Sequence, residues 1–143
     1  MFAPSQEQVR RFFCEAWGKQ QAGAVLTPLE ALATDWITQH PEYHGDLGDV
    51  DSALSTRYDV DSGRTNPFLH LSMHLSITEQ VSIDQPHGIQ AAVARLAARR
   101  GSLHEAHHEV MEALGDMIWS SQRSGLPFDG DAYIARVLAS AKR

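Results

Sequence analysis

Apolar residues return every three to four positions along most of this chain, and no alternating strand pattern of useful length occurs. That period belongs to helices covered on one face. Val9, Phe12, Phe13, Ala16 and Trp17 make one stripe, and Leu29, Leu32, Ala33, Trp36 and Ile37 make a second. The pattern and its stop signals predict six helices, over about 5–22, 27–39, 66–83, 86–100, 102–124 and 129–140. Gly23 and Gly101 stand where two of them end. Ser5 with Gln8, Thr27 with Glu30 and Ser102 with Glu105 have capping-box spacing. Thr27-Pro28 and Asn66-Pro67 put proline at the first helical position, where its missing N–H costs nothing. Residues 45–65 read as a long acidic connection, with a short turn of helix near Val50–Leu54. The mostly short connections favour antiparallel neighbours in an all-α, single-domain helical bundle.

A length of 143 residues with 43% hydrophobic content suits one domain with one core. The net charge of −6 argues against a nucleic-acid partner, which would want a basic face. From Glu30 to Asp61 there are eight acids and one base, Arg57, so a basic protein is the partner such a surface would fit. Cys14 is the sole cysteine, which excludes an internal disulfide and a cysteine metal cluster. It falls in the apolar run of the first helix and reads as a small core residue. No stretch approaches the ~20 apolar residues of a membrane span. There is no basic-then-apolar leader, so a cytoplasmic protein is expected.

The histidines change this picture. Three pairs stand four apart: His40/His44, His70/His74 and His104/His108. Eight histidines scattered at random would give about 0.4 such pairs, so composition alone does not explain them. On a helix this spacing puts two side chains on one face. A helical wheel places His70 and His74 in the middle of the covered face of the third helix, beside Ile77 and Val81. An imidazole buried there needs partners for both ring nitrogens. A metal ion satisfies one nitrogen of each ring, and a carbonyl or carboxylate takes the other. On the fifth helix His104, His108 and Glu112 share one side with Gly115 and Trp119, while His107 lies on the apolar stripe with Val110, Met111, Leu114 and Ile118. That helix reads as covered nearly all round, except at Glu109, Asp116 and Ser120.

If the third and fifth helices face each other, four imidazoles and a carboxylate converge. The expected metal ligands are therefore His70, His74, His104, His108 and Glu112. His44 is added if Pro41 opens a short helical turn; otherwise Pro41 takes His40 and His44 out of helical register. His87 reads as a surface residue. A nitrogen-rich set with one carboxylate suits zinc or iron, and manganese less well. An open coordination position would allow hydrolysis of a small-molecule substrate, with Glu105 or Glu112 as candidate base, or oxygen binding at iron. His104-Glu105-Ala106-His107-His108 has the letters of the zinc-peptidase helix H-E-x-x-H, but the third ligand and the extended motif are missing. The alternatives are a non-catalytic interaction module with hydrogen-bonded core histidines, and a pH-responsive switch.

Four motifs resemble one family: His40-Pro-Glu-Tyr-His44, Asn66-Pro-Phe-Leu-His-Leu-Ser-Met-His-Leu75, Ser82-Ile-Asp-Gln-Pro86 and Met111-Glu-Ala-Leu-Gly-Asp-Met-Ile-Trp119. That family is bacterial and is known as domain of unknown function 1841. The resemblance implies a small bacterial protein and carries no mechanism. His70/His74 and His108/Glu112 also share spacings with helical metal proteins of the hemerythrin and DinB type, an analogy of architecture alone.

Overall fold

The computed structural model describes residues 5–58 and 66–143, and its elements are all helical. Seven α-helices follow in order: α1 Gln6–Gln21, α2 Pro28–Thr38, α3 Val50–Ser55, α4 Pro67–Ile83, α5 Ile89–Arg100, α6 Leu103–Ser124 and α7 Gly130–Ala141. A 3₁₀ turn, Pro41–Tyr43, lies between α2 and α3. The expected short turn near Val50 is α3. Residues 59–65, the last part of the expected acidic connection, lie outside the described residues. The chain divides into two compact units, residues 1–75 and 76–143, and the boundary falls within α4.

In the first unit the local signals act as expected. Ser5 and Thr27 close full capping boxes with Gln8 and Glu30. Such caps satisfy backbone donors that a helix start leaves orphaned. Asn66 accepts from the backbone N–H groups of Phe68 and Leu69 and so caps α4. The core gathers Phe13, Cys14, Trp17, Ala33, Trp36, Ile37, Tyr43, Leu47, Ala53, Phe68 and Leu71. Leu29 and Leu32, placed on the covered stripe by periodicity, are 52% and 41% exposed. The buried side of α2 is the narrower arc of Ala33, Thr34, Trp36 and Ile37.

A buried cation ties this unit together. One guanidinium nitrogen of Arg10 donates to Ala53 O and Thr56 O, both at 2.7 Å. Those carbonyls sit at the end of α3, where helical partners run out. The group also lies 5.3 Å from the ring centres of Tyr58 and Phe68, within cation–π range. A polar residue in α1 thus holds α3 through its backbone.

The second unit is built from the later part of α4 with α5, α6 and α7. Ile89, Ala92, Val93 and Leu96 are buried on α5, and Tyr133 and Val137 on α7. Arg100 links three elements: its Nε is 2.6 Å from Glu109 Oε2, and one terminal nitrogen is 2.9 Å from Glu109 Oε1 and 3.0 Å from Ser140 O. This bidentate fork suits arginine and not lysine. The helix α5 starts at Ile89, after Gly88 in a left-handed conformation, rather than at Pro86. The helix α6 buries one face over its first half. Leu103, Ile118 and Trp119 are 53%, 41% and 58% exposed, and Glu105 and Glu112 are exposed as well, so the expectation of a nearly fully covered helix does not hold. Among the described residues, no helix is long and apolar enough to cross a membrane.

Candidate functional site

In the first unit, three imidazoles and two further aromatic rings meet. His74, on the first half of α4, is completely buried and lies flat on Trp36, with ring centres 4.0 Å apart and 14° between planes. His40, just after α2, is also buried. Its backbone departs from helix, because the proline that follows disfavours that region. The 3₁₀ turn then begins at Pro41, and His40 is carried onto α4. Its Nε2 comes to 3.0 Å from His74 Nε2. Its Nδ1 lies 2.8 Å from Glu42 Oε2. Partial burial works against the Glu42 charge. The His40 hydrogen bond, a backbone N–H and the fields of His40 and His70 outweigh it and hold the carboxyl below its usual range.

His70, one turn before His74, is half-buried. Its ring stands edge-on to both neighbours, with centres 4.7 Å from His40 and 4.9 Å from His74. His44 goes elsewhere: its Nε2 is 2.9 Å from Ile37 O, and its ring lies against Trp17 at 4.3 Å. Tyr43 stacks on His40 at 5.0 Å and closes that side of the cluster. Burial, with the charges of Glu42 and Asp46, pushes its hydroxyl up to about 12, so it is a neutral group at any ordinary pH.

The second unit carries its own pair. His104 and His108, one turn apart on α6, place their ring centres 4.4 Å from each other at 65°. Each offers a ring nitrogen within 4.8 Å of the other's. Both are half-buried, whereas Glu112, a further turn on, is exposed. Glu105 is exposed as well, and its backbone N–H donates to the Ser102 cap. His107 turns inward and is buried. Desolvation foremost, and then the charges of His104 and His108, bring it down to about 4, so it is a neutral core imidazole near pH 7. His87 is 93% exposed, as expected of a surface residue.

Neither His40 nor Glu42 stands among the ligands expected from the sequence, yet a signal for His40 existed. It continues the spacing of Ala33, Trp36 and Ile37, the buried residues of α2. Chemically, each pair offers imidazole nitrogen donors at a spacing a metal ion could use. For a tetrahedral ion with Zn–N bonds of about 2.0–2.1 Å, two ligand nitrogens stand about 3.3–3.4 Å apart. The His40–His74 gap of 3.0 Å needs only a small opening to reach that value. Residues 5–139 match the model of a family described as a domain of unknown function, DUF1841. No curated protein and no solved structure matches the chain, and the likeness to hemerythrin and DinB types has no counterpart there.

Proposed function

The chain belongs to that family, DUF1841, and from its own side chains we propose that it binds a first-row transition-metal ion through paired imidazoles. The observation that carries the reading is the approach of His40 Nε2 and His74 Nε2 to 3.0 Å, both rings buried and stacked on Tyr43 and Trp36. His40 and His74 are the proposed ligands in the first unit, with His70 at their side. His104 and His108 are the proposed ligands in the second. All four offer imidazole nitrogen donors, which suits zinc or iron(II) better than manganese. Glu112 is exposed and is left in a supporting role. Such an ion, when bound, would supply Lewis-acid activation of water or, as iron, oxygen binding. The residues around it bind and orient it.

One observation favours a second reading, an interaction module with hydrogen-bonded core histidines. A 3.0 Å nitrogen–nitrogen distance is also that of an ordinary N–H···N bond. Among the described residues no buried side-chain nitrogen or oxygen lacks a partner. Metal analysis of untagged protein separates the two. Metal bound in stoichiometric amount, with a rise in melting temperature on adding zinc or iron(II), supports the metal reading. Protein that carries none, and that zinc, iron(II) and manganese all leave at the same melting temperature, leaves the second.

A further inference from the structure

We propose that Glu42 is a positioning residue for the His40–His74 pair: its carboxylate fixes the tautomer of His40 so that Nε2 faces His74 as a lone pair. The functional half of this inference rests on the metal reading above. The structural half concerns the metal-free protein and stands by itself.

An ionised carboxylate only accepts hydrogen bonds. Glu42 Oε2 lies 2.8 Å from His40 Nδ1, so the ring proton sits on Nδ1. In its neutral form His40 has one N–H, so with the proton on Nδ1 its Nε2 is bare. The facing Nε2 of His74, at 3.0 Å, must then be the donor while no ion is present. The two rings are thus unequal. His40 already presents the lone pair that a metal requires, whereas His74 must move its proton off Nε2 before it can ligate.

The placement of Glu42 follows from the turn. Pro41 opens the 3₁₀ helix, and two residues after His40 the chain has doubled back enough for the carboxylate to reach the ring. The side chain of Glu42 is 58% exposed while that of His40 is 3% exposed, so a solvated charge grips a buried ring from outside. Carboxylates that accept the second N–H of a ligating histidine fix its orientation and raise its basicity. Their removal typically costs roughly 10–100-fold in metal affinity.

The experiment has two arms. Long-range ¹H–¹⁵N spectra of chelator-treated protein read the tautomer of His40 without any metal. The wild type is expected to show the Nδ1–H form. E42Q, whose amide oxygen still accepts, is expected to keep it, and E42A to lose it. A His40 protonated at Nε2 in the wild type, or a tautomer unchanged in E42A, overturns the inference. Zinc titration of the same three proteins forms the second arm. E42A is expected to bind roughly 10–100-fold more weakly and E42Q to recover part of that loss. Equal affinity in all three overturns the functional half. A wild type that binds no zinc overturns the metal reading instead, and the spectra still decide whether Glu42 sets the ring. E42Q keeps an acceptor for the buried N–H and is expected to melt like wild type without metal, whereas E42A removes it and is expected to melt somewhat lower.

Discussion

His40 and His74 are 34 residues apart in the chain, yet their Nε2 atoms meet at 3.0 Å, with His74 flat on Trp36 and His40 flat on Tyr43. The aromatic walls hold the rings whether or not an ion is present, so the ligands and the fold can be separated by substitution. His74→Leu keeps an apolar body against Trp36 and removes the ligand. Metal-free protein is expected to lose about 1 kcal/mol for the missing hydrogen bond. Wild type with zinc at 100 times its Kd gains about 2.7 kcal/mol by mass action, and the variant should lose most of that gain. Thermal melts with and without zinc measure both terms. An undiminished zinc shift in His74→Leu would count against His74 as a ligand.

Glu30 ties the start of α2 to α1, since its carboxylate accepts from Thr27 N–H at 2.9 Å and from Lys19 Nζ at 3.0 Å. The backbone bond to Thr27 foremost, and then Lys19, lower its pKa from the ordinary 4.5 despite the desolvation that opposes them. A carboxyl lowered on folding binds fewer protons than in the unfolded chain, so its contribution is present above about 4.5. That contribution fades as pH falls through the lower folded value. Urea midpoints of wild type and Glu30→Gln, measured from pH 7 down to pH 3, should therefore differ at neutral pH and converge in acid. A gap that stays constant over that range would contradict this account. Thr27→Ala, which removes the cap hydroxyl, is expected to cost about 1 kcal/mol at neutral pH.

Cys14 is 4% exposed in the core of the first unit. Burial foremost, with the charges of Asp49 and Glu15, pushes its thiol up to about 11. The thiolate is the reacting species, so a folded chain at neutral pH should be nearly inert to iodoacetamide. Addition of urea past the unfolding midpoint should restore the rate of an ordinary thiol. Rapid labelling of the native protein would mean that the α1 core opens easily.

The helices were readable because each has one apolar stripe and a chemically explicit start. Thr27-Pro28 and Asn66-Pro67 open helices where capping rules place them. Depth of burial was less readable. A stripe says which face is apolar and not how far the neighbour extends, which is why Leu29, Leu32, Ile118 and Trp119 were expected inside and lie partly in solvent. Arg10 was invisible for the opposite reason. Its charge suggests a surface, whereas the partners that bury it are two main-chain carbonyls that no side-chain pattern announces. At the candidate site, His74 follows from the wheel of α4 alone. His40 does not, because the proline after it breaks the helix, and the break is what swings the ring onto His74. Glu42 needs that turn before it has anything to hold. His44 shares the spacing of the other pairs but turns to Trp17 and Ile37 O, since four-residue spacing means one face only where the helix continues.

The hydroxyl of Tyr133 donates to Gln80 Oε1 at 2.8 Å and joins α7 to the later part of α4. Burial holds Tyr133 well above the ordinary range of a phenol, so this group is a neutral donor at all working pH values. The ring itself is fully buried. Tyr133→Phe keeps the ring and deletes only the donor, which leaves Gln80 Oε1 without this bond. The expected loss is about 1 kcal/mol, in the range of a single neutral hydrogen bond. Tyr133→Ala removes the ring as well and should cost about 3–5 kcal/mol, the range for buried aromatic truncation. Gln80→Leu in the Tyr133→Phe background removes both polar partners, and the double variant should recover part of the Tyr133→Phe loss, because an apolar pair of similar shape carries no unsatisfied atom. Urea unfolding of these four proteins, with Gln80→Leu alone as the second single variant, completes the cycle. If Tyr133→Phe is as stable as wild type, the hydroxyl contributes nothing, and α7 is held by the buried ring, by Val137 and by the Arg100 bond to Ser140 O.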